Sequence, residues 1–230
     1  MTYKTDEEIK SEVMFQLGWD THVKETEIGV VVKKGVVTLL GTVDSYSKKL
    51  AAQEAAHRVC GVLDVANEIE VHLPSDPRFR DDTAIARAVR HALEWNVLVP
   101  DERVHSTVSD GWVTLEGDVE YYTERVDSER AVSHLAGVRG VINKIEVAAP
   151  VDAEKIKYLI EDVLELRADR EARRIGVEID RGEVTLTGPV STWDEKKAIV
   201  GAIGHTPGVR AIHDRLTVDP YDGQIYSARA

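Results

Sequence analysis

One motif, G-x-V-T-L-x-G-x-V, occurs three times without a gap: Gly35 to Val43, Gly111 to Val119 and Gly182 to Val190. The spacing around it recurs too. From the first helical isoleucine (Ile9, Ile85, Ile156) to the motif glycine is 26 positions in every copy. From that glycine to a Gly-Val pair (Gly61-Val62, Gly137-Val138, Gly208-Val209) is 26 again, and a shared valine (Val71, Val147, Val218) follows. The period is 76 and then 71, and the five missing residues fall between copies. A repeated domain is therefore the unit that must fold. The period exceeds that of solenoid repeats, roughly 20–50 residues. Each copy is about 65–70 residues, near the lower size at which a domain folds alone. The expected organisation is three small domains at 1–73, 82–148 and 149–219, with a proline-containing linker at 74–81 and a tail at 220–230.

Within a copy, hydrophobic periodicity sets the element order. Ile9, Val13 and Leu17 lie four apart on one helical face, as do Ile85, Val89, Leu93 and Ile156, Ile160, Leu164. Acidic residues crowd the start of each helix, where they suit its dipole. Two alternating strands follow, joined by Lys34-Gly35, Asp110-Gly111 or Arg181-Gly182, pairs suited to a two-residue hairpin. In the second strand Val37, Leu39, Gly41 and Val43 face one way, and Val36, Thr38, Leu40 and Thr42 the other. A second helix begins near Ser45, Tyr122 and Ser191, carries Ala55, Ala131 and Ala202 where it approaches the sheet, and is expected to end at C-cap glycines Gly61, Gly137 and Gly208. A third strand closes the unit. The fold class is α+β: three tandem α-β-β-α-β domains, each a three-stranded mixed sheet with two helices on one face and the other face open.

Charge narrows the partners. The net charge of −12 divides as −4, −5 and −3 over 1–73, 74–148 and 149–230. An evenly acidic chain lacks the basic face that a phosphate backbone requires, so nucleic acid is not expected. Cys60 is the single cysteine, and Ala136 and Pro207 occupy its position in the other copies; it reads as a small buried apolar group. The N-terminal residues show no apolar signal-peptide region and no run of about 18 apolar residues occurs, so a cytoplasmic location is expected.

The α-β-β-α-β unit with G-x-V-T-L-x-G-x-V, followed by G-V-x-x-V-x-[ND]-x-[IL]-x-V, resembles the BON domain, a bacterial module named for osmotically inducible and nodulation proteins. The second half here is Gly61 to Val71, with Asn143 and Asp214 at the position of Asn67. The resemblance covers nearly the whole chain and implies non-catalytic binding modules. It also implies two ligand classes. Many relatives are thought to contact phospholipid, and one cytoplasmic branch, which pairs the module with a LysM domain, binds potassium.

Chemistry duplicated with the fold should leave shared polar side chains. Twelve positions are identical in all three copies, and only Thr38, with Thr114 and Thr185, is polar. A strand threonine is expected on propensity. The histidines match no metal-ligand spacing, so no metal and no cofactor is expected. The acidic pairs Glu7-Glu8 and Asp81-Asp82 read as solvated helix starts. Asn67, Asn143 and Asp214 are expected to bond backbone near the helix-to-strand turn. Tyr46, Tyr122 and Trp193 share one position and are expected at the edge of the core.

The copies differ on the open face. The first presents Val31, Val36 and Leu40, the second His105, Trp112 and Ile142, and the third Glu178, Asp180, Glu183, Thr185, Thr187 and Arg215. The first two sets are the candidate partner surface. The expected function is a stress- or osmotic-response binding or scaffold protein, with no enzyme activity, that engages a protein or a phospholipid surface, tandem copies giving avidity. A cytoplasmic potassium sensor is the alternative, since backbone carbonyls hold that ion without a side-chain signature. A second copy of the chain is a further candidate partner, and an enzyme is the weakest reading.

Overall fold

Thr5 opens the first helix with a capping box: its hydroxyl accepts from the Glu8 amide while the Glu8 carboxylate accepts from the Thr5 amide at 2.7 Å. The helix that follows, α1 (Asp6–Trp19), buries Ile9, Val13 and Leu17, the face read from their spacing. The structure is a computed structural model and describes residues 4–20, 28–74, 81–148, 154, 156–160 and 175–219. Leu164, the tail at 220–230 and most of the linker at 74–81 lie outside these. By its contacts the chain groups into two compact units, 1–88 with 108–113 and 133–141, and 89–107 with 114–132 and 142–230.

The first repeat continues with β1 (Ile28–Lys33), β2 (Val36–Val43), α2 (Tyr46–His57) and β3 (Asp64–Val71). β2 is central, antiparallel to β1 and parallel to β3. The second repeat has α3 (Asp82–Trp95), β4 (Val104–Ser109), β5 (Trp112–Val119), α4 (Tyr122–Ser133), β6 (Gly140–Asn143) and β7 (Glu146–Val147). Its third strand is thus broken in two, with β6 and β7 both on β5. The third repeat has α5 (residues 156–160), β8 (Gly176–Asp180), β9 (Glu183–Val190), α6 (Trp193–Gly204) and β10 (Ala211–Val218). Its sheet order is β10-β9-β8, with the central β9 again antiparallel to the strand before it, β8, and parallel to the one after, β10. The chain is α+β, with the mixed sheets expected from periodicity.

The cores occupy one side of each sheet. In the first repeat Ile9, Val13 and Leu17 of α1 and Ala52, Ala55 and Ala56 of α2 pack on Val37, Leu39, Val43 and Ile69. In the third, Ile156 and Ile160 join Ile199 and Ile203 over Val184, Leu186 and Leu216. Ala55 is fully buried, whereas Ala131 and Ala202 are half-buried. Burying such leucines and isoleucines is worth about 1.5–3 kcal/mol each, the main term holding a domain this small.

The motif glycines serve three geometries. In each hairpin turn both residues have positive φ, 53° and 75° at Lys34-Gly35, 50° and 75° at Asp110-Gly111, 48° and 86° at Arg181-Gly182. That is the twist a two-residue hairpin needs. Midway along β5, Gly117 has φ +126°, and a Cβ there would collide with the Arg103 carbonyl. Alternation along the strand makes this glycine an ordinary inward position and carries no sign of the kink, which is repeated at Gly41 and Gly188. Gly61, Gly137 and Gly208 are not helix caps. They follow the helices by several residues, each third in a turn closed by a bond such as Val62 N–H to the Val59 carbonyl, 3.2 Å. Cys60 is second in that turn and is exposed, which corrects the buried reading. The turn turns it away from the core.

Candidate interaction surface

Each open face is set by strand parity. With Val37, Leu39 and Val43 drawn under the helices, their neighbours on β2 must face outward. Val36 and Leu40 are 39% and 38% exposed, and Val31 on β1 is 52% exposed. The register arranges these side chains in rows across the sheet: Lys33–Val36–Asp64, Val31–Thr38–Ala66 and Gly29–Leu40–Glu68. In the second repeat Trp112 and Ile142 are 46% and 44% exposed, and His105 is exposed. The Trp112 ring occupies the space that a side chain at Gly140 would fill. The third face is polar. Glu178, Asp180, Glu183, Thr187 and Arg215 are exposed, and Glu183 meets His213 Nε2 at 2.9 Å. All six residues singled out from sequence, Val31, Val36, Leu40, His105, Trp112 and Ile142, are therefore solvent-facing.

The polar residues of the repeat are engaged in holding it together. Asn67 Nδ2 donates to the Lys49 carbonyl at 3.0 Å and to Gln53 Oε1 at 3.2 Å, while its Oδ1 accepts from the Ile69 amide. Asn143 repeats this on Arg125, Glu129 and Ile145. Asp214 keeps only the accepting half, from the Leu216 amide at 3.0 Å, and the Lys196 ammonium approaches it at 3.2 Å. The partner is the body of the second helix rather than the helix-to-strand turn expected. Only the accepting oxygen is common to Asn and Asp, which explains why either fits.

Asp6 and Asp82 are not solvated helix ends. Asp6 Oδ2 accepts from the Lys34 amide at 2.8 Å and Oδ1 from Gly35 at 3.0 Å; Asp82 clamps Asp110 and Gly111 at 2.8 and 2.9 Å. The bonds from Gly35 and Lys34 hold the Asp6 carboxyl below the usual carboxylate range. Glu8 is lowered likewise by its bond from Thr5. Asp81 caps α3, accepting from the Thr83 amide at 3.0 Å. The only sequence signal for the clamp is a 28-residue offset between helix acid and turn, preserved in two copies.

Tyr122 sits against the end of α6 in the third repeat, where a Cβ on Gly204 would come within 2.9 Å of its ring. Burial raises its hydroxyl above the usual tyrosine range. Trp193 is half-buried, with the Lys196 ammonium 5.0 Å from its ring. An open groove of about 450 Å³ runs beside Val97, Leu98, Tyr121, Glu124, Asp127 and His205. Its carboxylates already serve the backbone and Arg130. Among the described residues no three His, Cys, Asp or Glu side chains gather as metal ligands. Among them, too, no helix is long and apolar enough to cross a membrane.

A second apolar surface escaped the sequence reading. Met14, Phe15 and Trp19 of α1 are 49%, 61% and 73% exposed, with the two rings 5.8 Å apart. Trp95, at the position of Trp19, is 84% exposed. Their signal is phase: Phe15 and Trp19 are four apart but off the Ile9–Val13–Leu17 face.

These features define a class: small modules with a one-sided core, an open sheet and polar groups spent on structure. The chain belongs to the BON domain family, whose model matches residues 5–72, 81–149 and 152–220. It is 27% identical over 147 residues to the osmotically-inducible protein Y of Escherichia coli strain K12, covering 63% of this chain and 73% of that protein. It is also similar, at 14% identity and a TM-score of 0.26, to the C-terminal domain of CdsD, a structural protein of the type III secretion system of Chlamydia trachomatis, over 94% of this chain and all of that one. A score that low does not establish a shared arrangement.

Proposed function

We propose that the chain is a non-enzymatic, stress-linked binding protein that engages a protein or phospholipid surface through the open sheet faces of its first two repeats. The observation that carries this is the contrast between copies. Val31, Val36 and Leu40 on the first face, and Trp112 and Ile142 on the second, stay exposed, while the third face is charged. Apolar side chains on a pleated face gain by being covered. The osmotic link is supported by the likeness to the osmotically-inducible protein. Asn67 and its counterparts, and the Asp6 and Asp82 clamps of the first two copies, are used for folding.

Val36→Asp combined with Trp112→Asp tests the reading. Flotation with phospholipid vesicles and crosslinking in cells during osmotic shock are the two readouts. The reading expects binding in at least one, reduced about tenfold or more by the pair, since two apolar contacts worth about 1–2 kcal/mol each are lost. Unchanged binding, or none in either assay, would refute it.

A further inference from the structure

We infer that the open face of the first repeat docks a polypeptide segment carrying apolar and basic side chains together, rather than a phospholipid surface. The inference rests on the binding-protein reading above and names the partner's chemistry. Its source is the row structure of the sheet. Val36 has Asp64 beside it on β3, and Leu40 has Glu68 beside it. Glu70 lies on the same outward parity, next to Thr42. All three acids are exposed, and β3 contains no lysine or arginine. The apolar stripe thus runs along β2 with a carboxylate rim one strand spacing away, about 4.8 Å. β3 ends the sheet, so the rim lies at an edge.

That juxtaposition discriminates between occupants. An anionic bilayer pressed on Val36 and Leu40 would bring its phosphates against Asp64, Glu68 and Glu70, and like charges repel across that distance. A purely apolar cover would strip water from the carboxylates without replacing their bonds. A polypeptide with lysine or arginine beside its apolar groups meets both demands. Its apolar side chains cover the stripe and its cations pair with the rim. Val36 and Leu40 are four residues apart on one strand, and so are Asp64 and Glu68. The partner therefore presents two apolar groups about 13 Å apart, each with a cation to the same side. Rim pairs of this kind set specificity and association rate more than affinity.

The test uses the full-length chain and four probes: a labelled peptide alternating leucine and lysine, its leucine–glutamate counterpart, vesicles of phosphatidylglycerol and vesicles of phosphatidylcholine. The expected result is binding of the leucine–lysine peptide at least about tenfold tighter than its acidic counterpart, weakening as salt rises. Val36→Asp should reduce it about tenfold, as should Asp64→Lys with Glu68→Lys. Glu178→Lys with Asp180→Lys, the same charge change on the third face, should leave it within about twofold. All these positions are exposed, and circular dichroism checks that each variant folds. Equal loss from the two lysine pairs would mean non-specific charge attraction and overturn the inference. Val36-dependent binding of either vesicle, without the basic peptide, would overturn the partner's chemistry while leaving the binding-protein reading intact. No Val36-dependent binding to any probe would overturn the inference, and the broader reading would then rest on the second repeat.

Discussion

In the first repeat Asn67 reaches the Lys49 carbonyl; in the third, Asp214 stands in its place and the Lys196 ammonium reaches toward it. The two repeats solve one problem, tying the third strand to the second helix, with opposite donors. Their open faces differ as sharply, apolar in one and charged in the other, while the core side of the central strand is the same in both, Val37, Leu39 and Val43 against Val184, Leu186 and Val190. Divergence has been tolerated wherever a side chain faces water or where a donor and acceptor can trade places. On the central strand the core side is unchanged, whereas the second helix exchanges Ala52 and Ala56 for Ile199 and Ile203, a larger side chain that close packing must accommodate.

The largest expected effect tests that shared core. Leu39 and Leu186 are equivalent and fully buried. Leu39→Ala and Leu186→Ala should each cost about 3 kcal/mol or more, by lost transfer energy plus a residual cavity. Native-state hydrogen exchange on the strands around each site is the measurement. Comparable losses in the two repeats support a common packing scheme. A loss under about 1 kcal/mol in either would break the equivalence.

The exchanged donors predict an asymmetry of middle size. Lys196 donates to the Leu216 carbonyl at 2.7 Å and pairs with Asp214, their side chains only 14% and 30% exposed. Lys196→Met leaves that carboxylate without its cation and should cost the third repeat about 1–3 kcal/mol. In the first repeat the tie uses the backbone of Lys49, not its ammonium. Lys49→Met should therefore stay within about 0.5 kcal/mol. Thermal unfolding of the two variants side by side is sufficient. Equal effects would mean that the two ties do not differ as drawn.

Such detail separates what could be read in the sequence from what could not. Helix faces, strand parity and the hairpin pairs depend on neighbours along the chain, so Ile9–Val13–Leu17 and Val36/Leu40 were assigned correctly from period alone. The donor side of Asn67 depends on how closely α2 approaches β3, a tertiary distance with no local period. Gly117 reads as an inward strand position, because the Arg103 carbonyl that leaves no room for a Cβ there comes from a distant part of the chain and leaves no local period. Phe15 and Trp19 lie off the Ile9–Val13–Leu17 phase of α1, so the period that marks the core carries no sign of them. Exposure of the candidate surface was legible for the same reason as the core. The acidic rim beside it required the register of β2 with β3, which periodicity does not supply.

The smallest effect concerns the clamp on the hairpin turn, where the first two repeats agree. Asp6 accepts from the Gly35 and Lys34 amides, and those bonds lower its ionisation range in the folded state. The sign follows from linkage: a carboxyl whose folded-state range lies below its unfolded one adds stability that is complete above the unfolded range and disappears as pH falls through the folded one. Protection of the Lys34 and Gly35 amides against exchange, corrected for the intrinsic rate at each pH, should hold near neutrality and fall only below the ordinary carboxylate range. Asp6→Asn can accept through one oxygen only, so it should expose one amide at all pH values and leave the other insensitive to acid. The third repeat has Ala153 in this register, yet its Arg181 and Gly182 adopt the same positive φ. The turn conformation therefore does not depend on a carboxylate there. The clamp's contribution is to fasten an already formed hairpin to α1. Acid should accordingly loosen the attachment in the first repeat while the β1–β2 ladder itself stays protected. Simultaneous loss of turn and ladder would show that Asp6 holds the hairpin together rather than docking it.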